Sequence, residues 1–417
     1  MTHRVKSTLF IHQNFPAQFR NLARSLVESG NKVFALANNF DVELSKLGVA
    51  IRTYAPKRTS SRVIHPWLVD LESKTIRGEA CYRAAMKLKE EGYTPDKIIA
   101  HHGWGESLFI KEVWPEAKLG IYCEFFYHTQ GADVGFDSEF LSKDITEPCR
   151  IAHKNLNNLV HFQIADAGIS PTIWQASTFP DSFRNKITVV HDGIDTDIVK
   201  PVSSEQVTLT SGKSLGKDDE VVTFINRNLE PYRGYHIFMR ALPKMLKDRP
   251  NARFILVGED GVSYGAKPDK AKYGDRSWKQ IFIDEIKNQI RPEDWSRVHF
   301  VGKVPYGIFL RILQISSVHV YLTYPFVLSW SLLEAMSVGC AIVASDTQPV
   351  REAITDNETG ILVDFFDHVS LAEAVAKLLE SPTLRKKLGE NARRFAIANY
   401  DLQTVCLPKQ LKWVEEL

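Results

Sequence analysis

Apolar residues along this chain fall into short runs separated by stretches in which they recur every three or four positions. That alternation is expected of buried strands and the amphipathic helices that cover them. In the first half, runs at 8–12, 32–37, 49–54, 97–100, 119–123, 164–170 and 187–190 predict strands. Helical spacing over 17–29 (Phe19, Leu22, Ala23, Leu26, Val27) stops at Gly30, and a second helix is expected near 106–113. Residues 192–195 are turn-rich and 201–218 are polar, which places a domain boundary near Pro201. The pattern then restarts. Strands at 220–226, 253–257, 298–301, 318–322, 341–344 and 360–363 alternate with helices at 235–246, 276–290, 305–316 and 331–338. Helices at 370–380, 383–399 and 402–416 close the chain. The fold class is therefore α/β: two doubly wound, Rossmann-like domains, 1–200 and 201–399. The carboxyl ends of their strands are expected to face across a cleft, where open α/β sheets bind ligands.

Composition narrows the function classes. The 417 residues are 44% hydrophobic and 24% charged, which excludes a disordered, collagenous or disulfide-stapled chain. Lys and Arg number 52 against 50 Asp and Glu, a net charge of +2 that argues against a nucleic-acid partner. The five cysteines (Cys81, Cys123, Cys149, Cys340, Cys406) form no C-x-x-C pair, so a cytoplasmic protein without zinc or disulfides is expected. The basic start is followed by an apolar run too short for a signal segment, and no stretch is long enough to span a bilayer. Contact with a membrane would be peripheral at most.

Four familiar patterns fail. Gly212-Lys213-Ser214 resembles the end of a phosphate loop, but the required first glycine falls on Val207, leaving a solvated linker. No G-x-G-x-x-G follows a strand, so no dinucleotide cofactor is expected. Asp195-Thr196-Asp197 lacks a third nearby carboxylate and reads as turn caps rather than a metal site, and His101-His102 lacks zinc-helix spacing.

Three constellations carry chemistry. Asn226-Arg227-Asn228-Leu229-Glu230-Pro231-Tyr232-Arg233-Gly234 begins where a strand ends, and its two arginines suit a diphosphate through paired charge-assisted bonds. The segment from Tyr324 to Met336 runs from a strand into a helix that Ser329 or Ser331 can cap, leaving N–H groups for an anion. Glu334, placed in the first turn among Leu332, Leu333, Ala335 and Met336, is a candidate grip on a ribose diol. Gly258 and the Gly302–Pro305 segment follow strands, where backbone can approach a flat base.

The stretches IHQNFPAQFRNLARSL, PDKIIAHHGWGES, VVHDGIDTDIVKP, INRNLEPYRGYHIFMRAL, FILVGED and FVLSWSLLEAMSVGCAIVAS, in this order, resemble the retaining glycosyltransferases of family 4, of GT-B architecture. The Asn-Phe-Pro loop and Gly131–Asp137 resemble a bacterial subgroup of surface-polysaccharide type. The resemblance implies that Arg227 is the phosphate arginine, with Arg233 in place of a lysine. Glu334 would hold the ribose, Leu328, Ser329, Trp330 and Ser331 would face sugar and diphosphate, and Val304 would lie by the base. It also implies that 400–417 returns to the first domain.

Two departures stand out. Phe326 occupies the position of a family glutamate that contacts a donor-sugar hydroxyl, and the Gly-Gly loop after the first strand is replaced by Asn14-Phe15-Pro16. The family's N-domain histidine falls at Glu124, whose aromatic surroundings are expected to raise its pKa. Asn14, His102 and Glu106 are acceptor-side candidates, with Trp104 a further cleft residue. The expected activity is retaining, metal-independent transfer of a hexosyl group from a UDP- or GDP-linked sugar. The acceptor would be a glycan, a lipid-linked or a small molecule, in polysaccharide or glycoconjugate synthesis. The alternatives are a sugar-nucleotide epimerase or hydrolase, and a nucleotide-binding module that has lost catalysis.

Overall fold

The computed structural model describes residues 6–209 and 212–417, so residues 1–5 of the basic start lie outside the described residues. The chain forms two compact units: one runs to Gly193 and includes Gln403–Leu417, the other is Ile194–Leu402. Each is a Rossmann-like α/β unit built on an all-parallel sheet.

In the first unit the strands lie in the order Ala50–Thr53, Lys32–Ala37, Ser7–Ile11, Lys97–Ala100, Lys118–Tyr122, Ala167–Ser170, Ile187–Val189. Leu9 pairs with Phe34 on one side and Ile98 on the other. Strand order reverses between Ser7–Ile11 and Lys97–Ala100, so the loops leaving their carboxyl ends diverge and open a crevice. In the second unit the order is Val298–Gly302, Arg253–Glu259, Val221–Asn228, Val318–Tyr321, Ala341–Ser345, Ile361–Val363, with the reversal between Val221–Asn228 and Val318–Tyr321. The central strands are apolar throughout because helices cover both faces; Leu9, Phe10, Ile11, Val222, Phe224 and Val343 are completely buried. Each such side chain stabilises its unit by about 1.5–3 kcal/mol.

Several elements differ from the expectation. A long helix, Val69–Glu90, lies where the sequence showed no amphipathic stripe. Its buried face includes Lys74, Gly78, Cys81, Ala85 and Leu88, which have helical spacing but are mostly small or charged. The polar stretch 201–218 is not a solvated linker. It contains an antiparallel hairpin, Gln206–Thr208 with Ser214–Gly216; Leu209, just after the first strand, and Leu215, within the second, are buried in the second unit's core. Gly212 belongs to the turn of that hairpin, with a φ of +80°. The apolar run 164–170 divides between the end of a helix, Leu156–Ile164, and the start of a strand, Ala167–Ser170. The helix expected near 106–113 shrinks to Ile110–Val113.

The last helix, Leu407–Glu416, packs on the first unit. The ring of Trp413 fills the space over Gly120, where a Cβ would come within 2.6 Å of it. Lys97 Nζ donates to the carbonyls of Val414 and Glu415, satisfying the helix's free C-terminal acceptors. Among the described residues no helix is long and apolar enough to cross a membrane.

Candidate functional site

The second unit gathers its polar groups at the strand-order reversal. Arg227 stands near the end of Val221–Asn228, exposed, with no hydrogen bond or ion pair among the described residues. The chain then turns through the short helix Pro231–Arg233 to Gly234. Gly234 has a φ of +70°, and a Cβ there would come within 2.3 Å of Leu322 Cβ, so only glycine allows this turn to close on the neighbouring strand end.

That closure buries Arg233, whose Nη1 donates to Thr323 Oγ1 at 2.7 Å and to the Val327 carbonyl at 3.2 Å. Its guanidinium also lies 4.9 Å from the Tyr264 ring centroid. Burial opposes its charge, but the surrounding phenols of Tyr321, Tyr264 and Tyr232 more than offset this and hold its pKa above the ordinary arginine value. Arg233 is therefore a strut for the loop 323–328, whereas Arg227 is the available guanidinium.

Glu230, which the sequence reading passed over, is buried and accepts N–H bonds from Ser263, Tyr264 and Gly265 at 3.0, 3.4 and 3.1 Å. It pins the loop carrying Tyr264 beside Arg233. Burial raises its pKa, and the three amide bonds pull the other way.

Ser329 caps the helix Trp330–Ser337, accepting from Ser331 N at 3.3 Å, while Ser329 N donates to Tyr321 Oη at 3.0 Å. Leu328 is buried behind this turn and Trp330 is 43% exposed. Glu334 lies in the second turn of the helix rather than the first, is buried, and accepts at Oε1 from Tyr306 Oη across 2.7 Å. Burial lifts its pKa above the ordinary carboxylate range, with the Tyr306 bond opposing. Val304 is partly buried against the core close to Tyr306 in the chain.

Gly258 does not offer open backbone. A Cβ there would come within 2.9 Å of Leu229 and 3.0 Å of the Asn226 carbonyl, so its place is close packing under the Arg227 loop. Phe326 is buried against Tyr232 and Tyr264, each with ring centroids 5.4 Å away, as part of an aromatic wall.

At the corresponding edge of the first unit, the loops after Ser7–Ile11, Lys97–Ala100 and Lys118–Tyr122 bring His12, His101 and Glu124 together. His101 lies between the rings of Tyr122 and Trp104, with its centroid 5.2 Å from that of His12. Its Nε2 is 3.7 Å from Glu124 Oε2, and the Glu124 side chain is 42% exposed. Burial holds His101 neutral, its pKa down to about 4. Asn14 is exposed, and its Oδ1 accepts from Asn39 Nδ2 at 3.0 Å.

Two acceptor-side candidates turn inward instead. Both ring nitrogens of His102 are engaged, by the Tyr122 carbonyl at 3.0 Å and by Asn158 Oδ1 at 2.9 Å. Glu106 is 1% exposed and 3.8 Å from Arg77. The reason is geometric: neighbouring residues at a strand end project in opposite directions, so of His101 and His102 only one can face the crevice. The Asp195 side chain accepts from the N–H groups of Asp197 and Ile198 at 3.2 and 3.1 Å, as a turn cap does.

Comparisons with known proteins match this organisation. Residues 29–199 match the family model "Glycosyl transferase family 4 group", and residues 210–395 match "Glycosyl transferases group 1". A glycosyltransferase of Methanocaldococcus jannaschii is 26% identical over 290 residues, covering 68% of this chain and 67% of that protein. The D-inositol 3-phosphate glycosyltransferase of Mycolicibacterium smegmatis is 24% identical over 218 residues, 52% of this chain and 45% of the relative, so the match spans about half the length of either protein. Among solved structures, Anabaena HepE in complex with UDP-glucose superposes with a TM-score of 0.67 at 15% identity, covering 99% of this chain and 100% of that one. Sucrose-phosphate synthase from Thermosynechococcus elongatus superposes with a TM-score of 0.72 at 17% identity, covering 99% of both.

Proposed function

This chain belongs to the GT-B glycosyltransferases of the family 4 type, and on that premise we propose that it transfers a hexosyl group from a UDP- or GDP-linked sugar to an acceptor hydroxyl with retention. The observation that carries this reading is Arg227: an exposed guanidinium without a hydrogen-bond or ion-pair partner among the described residues, at the strand-order reversal of the second unit. A diphosphate supplies the paired oxygens its planar fork is built to hold.

In the reaction, the bond between the anomeric carbon and the diphosphate oxygen breaks. A bond from that carbon to the acceptor oxygen forms on the same face, and the acceptor proton passes to the departing phosphate. Arg227 and the positive end of the dipole of the helix Trp330–Ser337 stabilise the charge that develops on the leaving group. Arg233 keeps the loop 323–328 in register and adds a fixed positive charge behind it. Glu334, steadied by Tyr306, holds the ribose, with Val304 towards the base. No divalent ion is required on this reading, since a guanidinium and the helix dipole meet the diphosphate charge.

On the acceptor side, Glu124 polarises the incoming hydroxyl, with the neutral ring of His101 beside it at 3.7 Å. The acceptor is a glycan, a lipid-linked or a small molecule, and the reaction serves polysaccharide or glycoconjugate synthesis in the cytoplasm. A thermal-shift panel of UDP, GDP, ADP and their sugars, followed by NMR of the product's anomeric proton in EDTA, tests the proposal. Stabilisation by no nucleotide would refute the donor assignment, and an inverted anomer would refute retention.

A further inference from the structure

The first unit holds a lysine that none of these steps uses. Lys154, the last residue of the helix Glu147–Lys154, places its Nζ 3.5 Å from the centroid of the Tyr127 ring. It has no hydrogen bond or ion pair among the described residues, and it is only partly accessible. The other cations of the cluster are already matched: Lys74 pairs with Asp70 at 2.7 Å, and Arg150 with Glu147 at 2.9 Å.

The floor under Lys154 is rigid. Tyr127 N donates to Asn155 Oδ1 at 3.0 Å, and Asn155 Nδ2 returns a bond to the Tyr127 carbonyl at 2.7 Å. Asn158 Nδ2 donates to the same Asn155 oxygen at 3.2 Å, while Asn158 Oδ1 pairs with His102 at 2.9 Å. One polar network therefore fixes the Lys154–Tyr127 pair to the loop that carries His101 and Trp104. Tyr127 follows Glu124 by three residues in the loop leaving Lys118–Tyr122. An ammonium taken largely out of water, with an aromatic face for company and its nearby carboxylates, Asp70 and Asp133, beyond ion-pair distance, is an incomplete ion pair.

We propose that Lys154 anchors a negatively charged group, a phosphate or a carboxylate, carried by the glycosyl acceptor. This rests on the transferase reading and adds the class of acceptor to it. The amine's ionisation agrees: burial brings its pKa down to about 8, Asp70 and Asp133 acting to raise it and Lys74 and Arg150 to lower it, and a bound anion would restore it.

Calorimetry on the full chain with D-glucose 6-phosphate, D-glucuronate and D-glucose tests this, using wild type, Lys154→Met, Lys154→Arg and the exposed control Lys143→Met. The methionine keeps the packing on Tyr127 and removes the charge. At least one anionic sugar should bind wild type, lose about tenfold in affinity in Lys154→Met, and keep it in Lys154→Arg and Lys143→Met. Which anion binds separates phosphate from carboxylate. Binding of neither, equal binding of D-glucose, or equal affinity in Lys154→Met would each overturn the proposal. UDP is titrated alongside: a wild type that ignores UDP sinks the transferase reading, whereas UDP binding with indifference to Lys154→Met sinks this inference alone.

Discussion

The phenol of Tyr306 donates to Oε1 of Glu334 across 2.7 Å, joining the first residue of the helix Tyr306–Ile315 to the second turn of Trp330–Ser337. The carboxylate picked out in the sequence is thus aimed by a tyrosine 28 residues upstream. Glu334→Gln keeps an acceptor for that phenol and removes the charge. Its affinity for UDP should fall about tenfold, and that of Tyr306→Phe by a smaller factor, roughly threefold, since the charge remains but loses its orientation. Calorimetry with UDP measures both. Wild-type affinity in both variants would make Glu334 a structural residue.

Arg227 is exposed and unpartnered among the described residues, so Arg227→Ala should leave the melting temperature within about 1 °C of wild type. Its UDP affinity should nevertheless fall by about tenfold or more, because a charge-assisted bidentate contact is lost. Unchanged nucleotide binding would remove Arg227 from the site.

Gly234→Ala forces a side chain into the left-handed region and drives a Cβ to 2.3 Å from Leu322 Cβ. It should destabilise the protein by about 2 kcal/mol or more in urea unfolding, with loss of UDP binding as the Arg233 turn lifts away. A variant as stable as wild type would mean that the turn closes by another route.

Glu106 gives a pH signature. Burial raises its folded-state pKa above the unfolded value, with Arg77 only partly compensating. Between those two values the folded state binds more protons, so this residue's contribution to stability falls as pH rises through the folded pKa. Glu106→Gln removes that dependence. The melting temperature of wild type relative to Glu106→Gln should therefore decline from pH 4 to pH 8, and a difference independent of pH would show that the carboxylate is not titrating in this window.

Much of this was legible in the residues. The apolar runs located the strands of both sheets, because a strand buried on both faces must be apolar along its length. The arginines at and after the end of Val221–Asn228 and the serine-capped helix start were visible because turns and caps are local chemistry. The helix Val69–Glu90 was hidden because its buried stripe, apart from Ile76 and Leu88, is made of Lys, Gly, Cys and Ala, which periodicity of large apolar residues does not register. The hairpin in 201–218 was hidden because two leucines suffice to anchor it in a core contributed by distant segments.

The sequence by itself determined the alternation of strands and helices, the doubly wound class and the segments that carry polar chemistry, since each follows from short-range spacing and capping. Only the tertiary structure decided which side chain in each segment is available: Arg227 outward and Arg233 inward, His101 towards Glu124 and His102 into a network with Asn158, Glu334 in the grip of Tyr306. That choice depends on partners tens of residues away in the chain, brought together by burial of the sheets, and no local pattern encodes it.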